Sequence, residues 1–441
     1  VTTVPVPMAP ASISWARLVR LGLVQLAIGA VFVLVMTTFN RVMIVELRYA
    51  AIVPSALIAL QFLVQLVRPR LGFGSDRAGR RTPWILGGVA ILASGAVAAA
   101  AALGLMVTSR PAGLALAVAA YLVVGLGVSA AGTPFLALIA ERVPADRRAG
   151  AAALSWSLMI AGFVLATVGA RFALASFSYQ RLVLLTAIVG GIAVALTIVA
   201  LHGVDGAAAA TRRDGTARSA RAPFREAVAE VWADAAARRL TIFIFLAMLA
   251  FSAEDLIVEP FAALVFGLAP GASAGVSAGQ NGGMLAGMVA AALLARRGGS
   301  LRTWAAGGCA ASALAFLALA ASPLTGQLVV AKIAAAALGA SNGVFAVGAI
   351  GTMMALAARH GGTASGVRMG VFGAAQALAY GLGGLVFAGA SDLARHALGS
   401  ASAGYGLVFV GEALLFALAA GFAARSATPV APPVTLAGAA A

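Results

Sequence analysis

Asp255 and Glu259 stand four positions apart in an otherwise apolar run, Phe251-Ser-Ala-Glu-Asp-Leu-Ile-Val-Glu-Pro260. At that spacing they share a helix face, and two ionised carboxylates would repel. Charge in apolar surroundings costs several kcal/mol unless it is paired or wetted. Either one carboxyl holds a proton, or the pair meets a cation or Arg41. Pro260 removes a backbone donor just beyond Glu259. Arg41 lies in a related run, Asn40-Arg41-Val-Met-Ile-Val-Glu46. These groups could line a site between two parts of the chain; an ion pair that only ties helix ends together fits the same pattern. Gln280, Asn281, Asn342 and Gln376 are amides in apolar stretches, suited to that site or to hydrogen bonds between helices. The candidate lining is therefore Asn40, Arg41, Glu46, Asp255, Glu259, Gln280, Asn281 and Asn342. The chemistry would be binding, not bond making. No helical His pair, nucleotide-binding Gly loop or nucleophile–base constellation occurs, so neither an enzyme nor a nucleotide is expected. Lys332 falls near a span end, where it can snorkel. Glu412 is isolated in its stretch.

The elements that must position these residues follow from composition. Of 441 residues, 62% are hydrophobic and 10% charged, and the mean hydropathy is +1.01. A water-soluble surface could not be built from that composition. A spanning helix needs roughly 20 mostly apolar residues. Stretches of that kind fall at 21–45, 49–67, 84–107, 112–139, 149–170, 181–201, 240–267, 273–295, 303–321, 325–357, 366–390 and 404–424. The expectation is an all-α membrane protein of twelve transmembrane helices. A net charge of +16 would suggest nucleic acid in a soluble chain. Here the arginines collect in alternate connections, which orients the chain and implies no nucleic-acid partner. Arg68 to Arg81, Arg142 to Arg148 and Arg212 to Arg239 fall on one side, read as cytoplasmic together with both termini. Val1 to Arg20 reads as a short tail, not a signal peptide. Cys309, the single cysteine, reads as a small core residue.

The polar stretch 202–239 divides the chain into six-helix halves, 1–201 and 240–441. Within it Pro223-Phe-Arg-Glu-Ala-Val-Ala-Glu-Val-Trp232 predicts a helix with Phe224, Val228, Val231 and Trp232 near one face. The halves repeat. Arg41–Glu46 finds Glu254–Glu259 at an offset of 213, Gly127 finds Gly339 at 212, and Gly150 finds Gly366 at 216. Such offsets imply parallel repeats about an axis along the membrane normal.

Between the second and third spans runs Gly72-Phe-Gly-Ser-Asp76-Arg77-Ala-Gly79-Arg80-Arg81. Its glycines permit a tight turn, and Asp76 can pair with an arginine or cap the next helix. This run resembles the signature loop of the major facilitator superfamily, and the resemblance implies that Gly72, Asp76, Arg77, Gly79, Arg80 and Arg81 form a conformational latch. The second-half counterpart, Arg296-Arg-Gly-Gly-Ser-Leu-Arg302, lacks the Asp. The loop continues Arg81-Thr-Pro-Trp84. Together with Asn40-Arg-Val-Met-Ile-Val-Glu-Leu47 and Glu254-Asp-Leu-Ile-Val-Glu-Pro-Phe261, it is similar to the PucC/LhaA, or bacteriochlorophyll-delivery, family of that superfamily. The chain departs from the family pattern at Arg48 (glycine), Glu254 (glutamine) and Phe261 (tyrosine).

The resemblance implies an assembly factor for light-harvesting complexes that binds or delivers bacteriochlorophyll. Its partners would be light-harvesting antenna polypeptides, pigment-synthesis enzymes or the reaction-centre core, and membrane lipid. Its place would be the bacterial inner, intracytoplasmic photosynthetic membrane. His202, His360 and His396 all fall at span ends or in loops. A magnesium ligand would therefore come from Asn, Gln, Glu, a backbone carbonyl or water. The competing expectation is a proton-coupled secondary transporter of a small amphipathic solute.

Overall fold

The computed structural model describes residues 14–49, 52–144, 147–174, 176–204, 223–268, 270–294, 300–358 and 365–425. Among them all regular structure is helical. The first span is α1 (Trp15–Val33) and α2 (Phe39–Val45), joined by a π turn at Leu34–Thr38. The second is α3 (Ile52–Val64) and α4 (Arg68–Arg77), joined by a 3-10 turn. Spans three to six are α5 (Thr82–Thr108), α6 (Arg110–Arg142), α7 (Arg148–Ala173) and α8 (Tyr179–Leu201). A short helix, α9 (Phe224–Ala233), precedes the second half. That half holds α10 (Ala235–Phe266), α11 (Pro270–Leu294), α12 (Leu301–Thr325), α13 (Leu328–Ala358), α14 (Ser365–Leu398) and α15 (Ala401–Arg425).

Local chemistry sets the helix ends. Ser14, Ser178 and Ser300 accept from the backbone N–H three residues on, and Asp234 caps α10 through the N–H groups of Ala236 and Ala237. Gly267 and Gly326 stop α10 and α12 with φ near 64°. Eleven described helices are long and apolar enough to cross a membrane. The twelfth, α11, has 25 residues, but Gln280, Asn281 and its glycines dilute its apolar character.

The two halves pack alike. In the first, span three lies on four and six, one on five and six, and two on four. In the second, nine lies on ten and twelve, seven on eleven and twelve, and eight on ten. The halves meet where span two lies on eleven and five on eight and ten. This is the two-repeat, twelve-helix arrangement of the major facilitator fold. Glycine lets the backbones approach. A Cβ on Gly125 would stand 2.5 Å from the Gln61 carbonyl oxygen, and one on Gly339 would stand 1.9 Å from that of Gln280. These contacts make Gly125 the counterpart of Gly339. Gly127, expected from sequence in that role, instead faces Leu92 of the third span.

Four boundaries differ from expectation by five residues or more; two of them are the start of the first span, at Trp15 and not 21, and the end of the eleventh, at Leu398 and not 390. The seventh span starts at Ala235, not 240, because Asp234 caps it there. The second continues to Arg77 through Gly, Ser and Asp residues of poor helix propensity, held by packing of α4 on α14. The linker helix is present, with Val231 buried and Trp232 exposed. Its Phe224 ring lies 5.6 Å from that of Phe73 and 5.5 Å from the Arg70 guanidinium.

Close approach at Gly339 predicts a steric result. Gly339→Ala should destabilise the purified protein by about 1–3 kcal/mol, as overpacking of tight cores does. Gly307→Ala, where a Cβ would meet nothing within 4 Å, should be neutral or slightly stabilising. Thermal unfolding in detergent compares the two.

Candidate functional site

Seven residues from both halves converge on the latch. Arg81, at the entry to α5, is 1% exposed. Its guanidinium donates to Asp76 Oδ1 at 2.5 Å, Ser75 Oγ at 2.5 Å, Glu141 Oε1 at 2.5 Å and Ser365 Oγ at 2.7 Å. Ser365 also donates to Glu141. Asp76 accepts from the backbone N–H groups of Gly366 and Val367, both at 2.9 Å. It thus caps α14 of the other half, where the helix dipole favours a carboxylate, and not the next helix in sequence. Burial alone would lower the affinity of Arg81 for its proton. The adjacent Asp76 and Glu141 carboxylates outweigh it and hold the guanidinium above its ordinary value.

The glycines divide their roles. Gly79, at φ 67°, makes the turn. Gly72 is helical, and its need for glycine is contact: a Cβ there would lie 1.9 Å from the Gly366 carbonyl oxygen. Arg77 and Arg80 are exposed at the rim. The expected latch is therefore a helix end and a turn. Glu141, Ser75, Ser365 and Gly366 complete it; only the repeat offset had drawn attention to Gly366.

A second tie lies beside the first. Arg368, 1% exposed, pairs with Asp234 at 2.9 Å. Burial would raise the Asp234 carboxyl. Hydrogen bonds from Arg368 and from the N–H groups of Ala236 and Ala237 outweigh this and hold it below the usual carboxylate range.

From the latch the contact between spans two and eleven runs toward mid-membrane. Pro69 abuts Gly370, Arg68 abuts Gly373, and Phe62 abuts Gly381. There a row of rings joins the halves. Phe163 and Phe32 lie at 6.4 Å, Phe32 and Phe62 at 6.4 Å, Phe62 and Tyr380 at 5.5 Å, and Tyr380 and Phe251 at 5.8 Å. Gln376, one turn before Tyr380, lies 3.6 Å from Met248 Sδ. The Gln61 amide is buried with neither atom hydrogen-bonded, and Asn40 Oδ1 is likewise buried and unpartnered.

Of the eight expected lining residues, the five with described side chains do not gather around one point. The side chains of Arg41, Asp255 and Glu259 lie outside the described residues, although their backbones are helical. Glu46 is exposed at the end of the first span, and Asn281 is exposed on α11. Gln280 is buried against α13. Asn342 donates to Glu254 and accepts from Ser312 at 2.6 Å, and Ser312 reaches Ser341 at 3.0 Å. That network belongs to the second half. The second-half counterpart of the latch, at 296–299, also lies outside the described residues.

The family departures have physical readings. Arg48 sits at φ 54°, where glycine carries no Cβ penalty. Glu254 gains the Asn342 donor. Phe261 is buried among Phe266, Tyr405 and Phe409.

Two six-helix repeats with a charged tie at one end define a multi-pass membrane protein with the major facilitator transporter fold. Solved structures agree. The bacterial homologue of the iron transporter ferroportin, in its outward-facing state, superposes with a TM-score of 0.70, covering 93% of this chain and 99% of that one at 14% identity. The human organic anion transporter TETRAN gives 0.69 over 92% and 99% at 17% identity. The family model described as PUCC protein matches residues 38–428, and the chain belongs to that family. It is 44% identical to the Bacteriochlorophyll synthase 44.5 kDa chain of Rhodobacter capsulatus over 93% of this chain and 95% of that one. It is 28% identical to Protein PucC of Rhodovulum sulfidophilum over 89% of each.

Breaking one partner of a buried ion pair leaves the other charge uncompensated, at about 3–5 kcal/mol. Asp76→Asn should therefore lower thermal stability markedly. It should also widen the distance between spin labels placed on exposed positions of the two halves at the latch end. The Asp234–Arg368 tie has an acid limit. Because the Asp234 carboxyl is depressed, its contribution is complete above the unfolded value near 4. It is lost as pH falls through the folded value. Melting curves of wild type and Asp234→Asn, taken from neutral pH downward, should converge in acid.

Proposed function

We propose that this chain is an assembly factor for light-harvesting complexes that binds or delivers bacteriochlorophyll to antenna polypeptides within the membrane. The observation that carries the reading is a family match over 38–428 joined to 44% identity with a relative named for bacteriochlorophyll. In this reading bacteriochlorophyll is cargo. A flat macrocycle stacks on aromatic faces, and its magnesium accepts hard oxygen donors. The ring row from Phe163 to Phe251 and the unpartnered amides of Gln61 and Asn40 supply both kinds of group. The described histidines, His202 and His396, lie at helix ends, so an amide or carboxyl oxygen is the ligand type this chain favours. The sequence holds no motif of nucleophile–base catalysis, so we read the chain as a carrier, with pigment-synthesis enzymes or the reaction-centre core among its partners, and not as a synthase. The arginine bias supports a cytoplasmic latch end and cytoplasmic termini in a bacterial intracytoplasmic photosynthetic membrane.

A second reading, a proton-coupled transporter of a small amphipathic solute, draws on the retained latch. It predicts solute-dependent proton flux in liposomes that disappears in Glu259→Gln.

The assembly reading is tested by purifying the chain from a pigmented phototrophic host in mild detergent and recording the spectrum of its solvent extract. Bacteriochlorophyll should be present, and reduced severalfold by Gln61→Leu with the protein still folded. A pigment-free protein, together with normal antenna assembly in a deletion strain, would sink the reading. Antenna subunits co-purifying without pigment would make it a protein scaffold.

A further inference from the structure

The middle of α15 carries one ionisable side chain, Glu412. It is 0% exposed, and neither carboxyl oxygen has a hydrogen-bond partner. Phe409 and Phe416, three residues before and four after, share its helix face. Both rings pack on Phe316 of α12, at 5.7 and 5.9 Å, and Phe416 also meets Phe345 of α13 at 6.3 Å. Glu412 thus faces the α12–α15 seam between phenylalanines.

The charged and titratable groups of the packed elements are accounted for. On α12 they are Arg302 and Cys309, and on α13 Lys332. On α10 they are Arg238, Arg239 and Glu254; on α14, Arg368, Arg395 and His396; Tyr380 and Tyr405 complete the set. None of these forms a hydrogen bond or ion pair with Glu412. Asp255, Glu259, Asp392 and Arg425 have side chains outside the described residues. An ionised carboxylate in this seam would have neither countercharge nor water, a state costing several kcal/mol. The neutral acid forfeits only the hydration of a hydroxyl and a carbonyl.

A route to solvent begins in the same seam. A small cavity at the latch end of the second half is lined by Arg302, Ala305, Thr352 and Ala423, among others. Ala423 is eleven residues past Glu412, about three helical turns and so on the same face. Phe416 and Ala419 occupy that face between them, and both are buried.

We propose that Glu412 is a proton-binding site of the second half. In this packed arrangement it is a neutral carboxylic acid, closed off by Phe416. It exchanges its proton with water when the α12–α15 seam loosens. The ligand is the proton itself. The site is separate from the latch, whose acids are ion-paired, and from the Glu254 network, whose carboxylate is hydrogen-bonded. It stands independently of the pigment reading.

Infrared difference spectroscopy of the purified full chain tests this. At neutral pH, wild type minus Glu412→Gln should show the carbonyl stretch of a protonated carboxyl. On transfer to heavy water that band should shift slowly, and severalfold faster in Phe416→Ala. Should Glu412→Gln fail to fold, Glu412→Asp moves the same band and replaces it. Loss of an ionised-carboxylate band instead would overturn the proposal. So would a neutral band that shifts at once in wild type, or one that never shifts even in Phe416→Ala.

Discussion

A guanidinium with 1% of its surface exposed has to be supplied with acceptors by protein, and Arg81 draws four of them from three elements. Asp76 and Ser75 come from the end of the second span, Glu141 from the end of the fourth and Ser365 from the start of the eleventh. Three of these acceptors share the first half with Arg81, and Ser365 brings in the second. Asp76 also reaches the Gly366 and Val367 N–H groups in the first turn of α14. The helix end and the buried cation therefore depend on one carboxylate. The contacts above them, from Pro69 on Gly370 to Phe62 on Tyr380, follow the register that this node sets.

Inside each half the organising force is different. Lipid tails compete well with apolar side chains, so hydrophobicity alone does not hold spanning helices together. Backbone approach at Gly125, Gly127, Gly339 and Gly348 gives dispersion contacts that larger residues would forbid. The halves share this scheme but not their polar interiors. The second contains the Ser312–Asn342–Glu254 network and the isolated Glu412. The first contains the π turn in span one, whose Val35 carbonyl receives Tyr121 Oη at 3.4 Å, and the unpartnered Gln61. A π turn inside a helix frequently marks a functional position.

The spans were legible in the sequence because each is a local property, a run of apolar residues long enough to cross a bilayer. The linker helix was legible for a similar reason, through Pro223 and the spacing of Phe224, Val228 and Val231. The Asp76–Arg81 pair could be read because its members lie five residues apart. Glu141 and Ser365, 60 and 284 residues from Arg81, could not, since nothing in their neighbourhoods marks them. Gly72 was read as a turn residue and is a contact residue, a distinction that needs the other half of the chain. The Gly127–Gly339 pairing missed by two positions because small residues recur often enough here to offer several registers. Periodicity also ended the second span too early. Asp76 of α4 is paired with the other half and not with water, so the composition of the helix resembles that of a loop.

The charged latch is better understood as a device for geometry than as the adhesive between halves. Bringing Arg81, Asp76 and Glu141 out of water carries a desolvation penalty that their mutual attraction repays only in good geometry. All three belong to the first half, so parting the halves would keep their ion pairs and exchange the bonds with Ser365, Gly366 and Val367 for bonds to water. Adhesion must then come largely from surfaces that gain nothing from water, the Gly72–Gly366 and Phe62–Tyr380 contacts. A seam built in this way is selective without being permanent. It disfavours misregistered closure, because a shift of one turn would take the Gly366 and Val367 N–H groups away from Asp76, yet it places no large barrier before separation. Those properties hold the two halves in register while leaving them able to part.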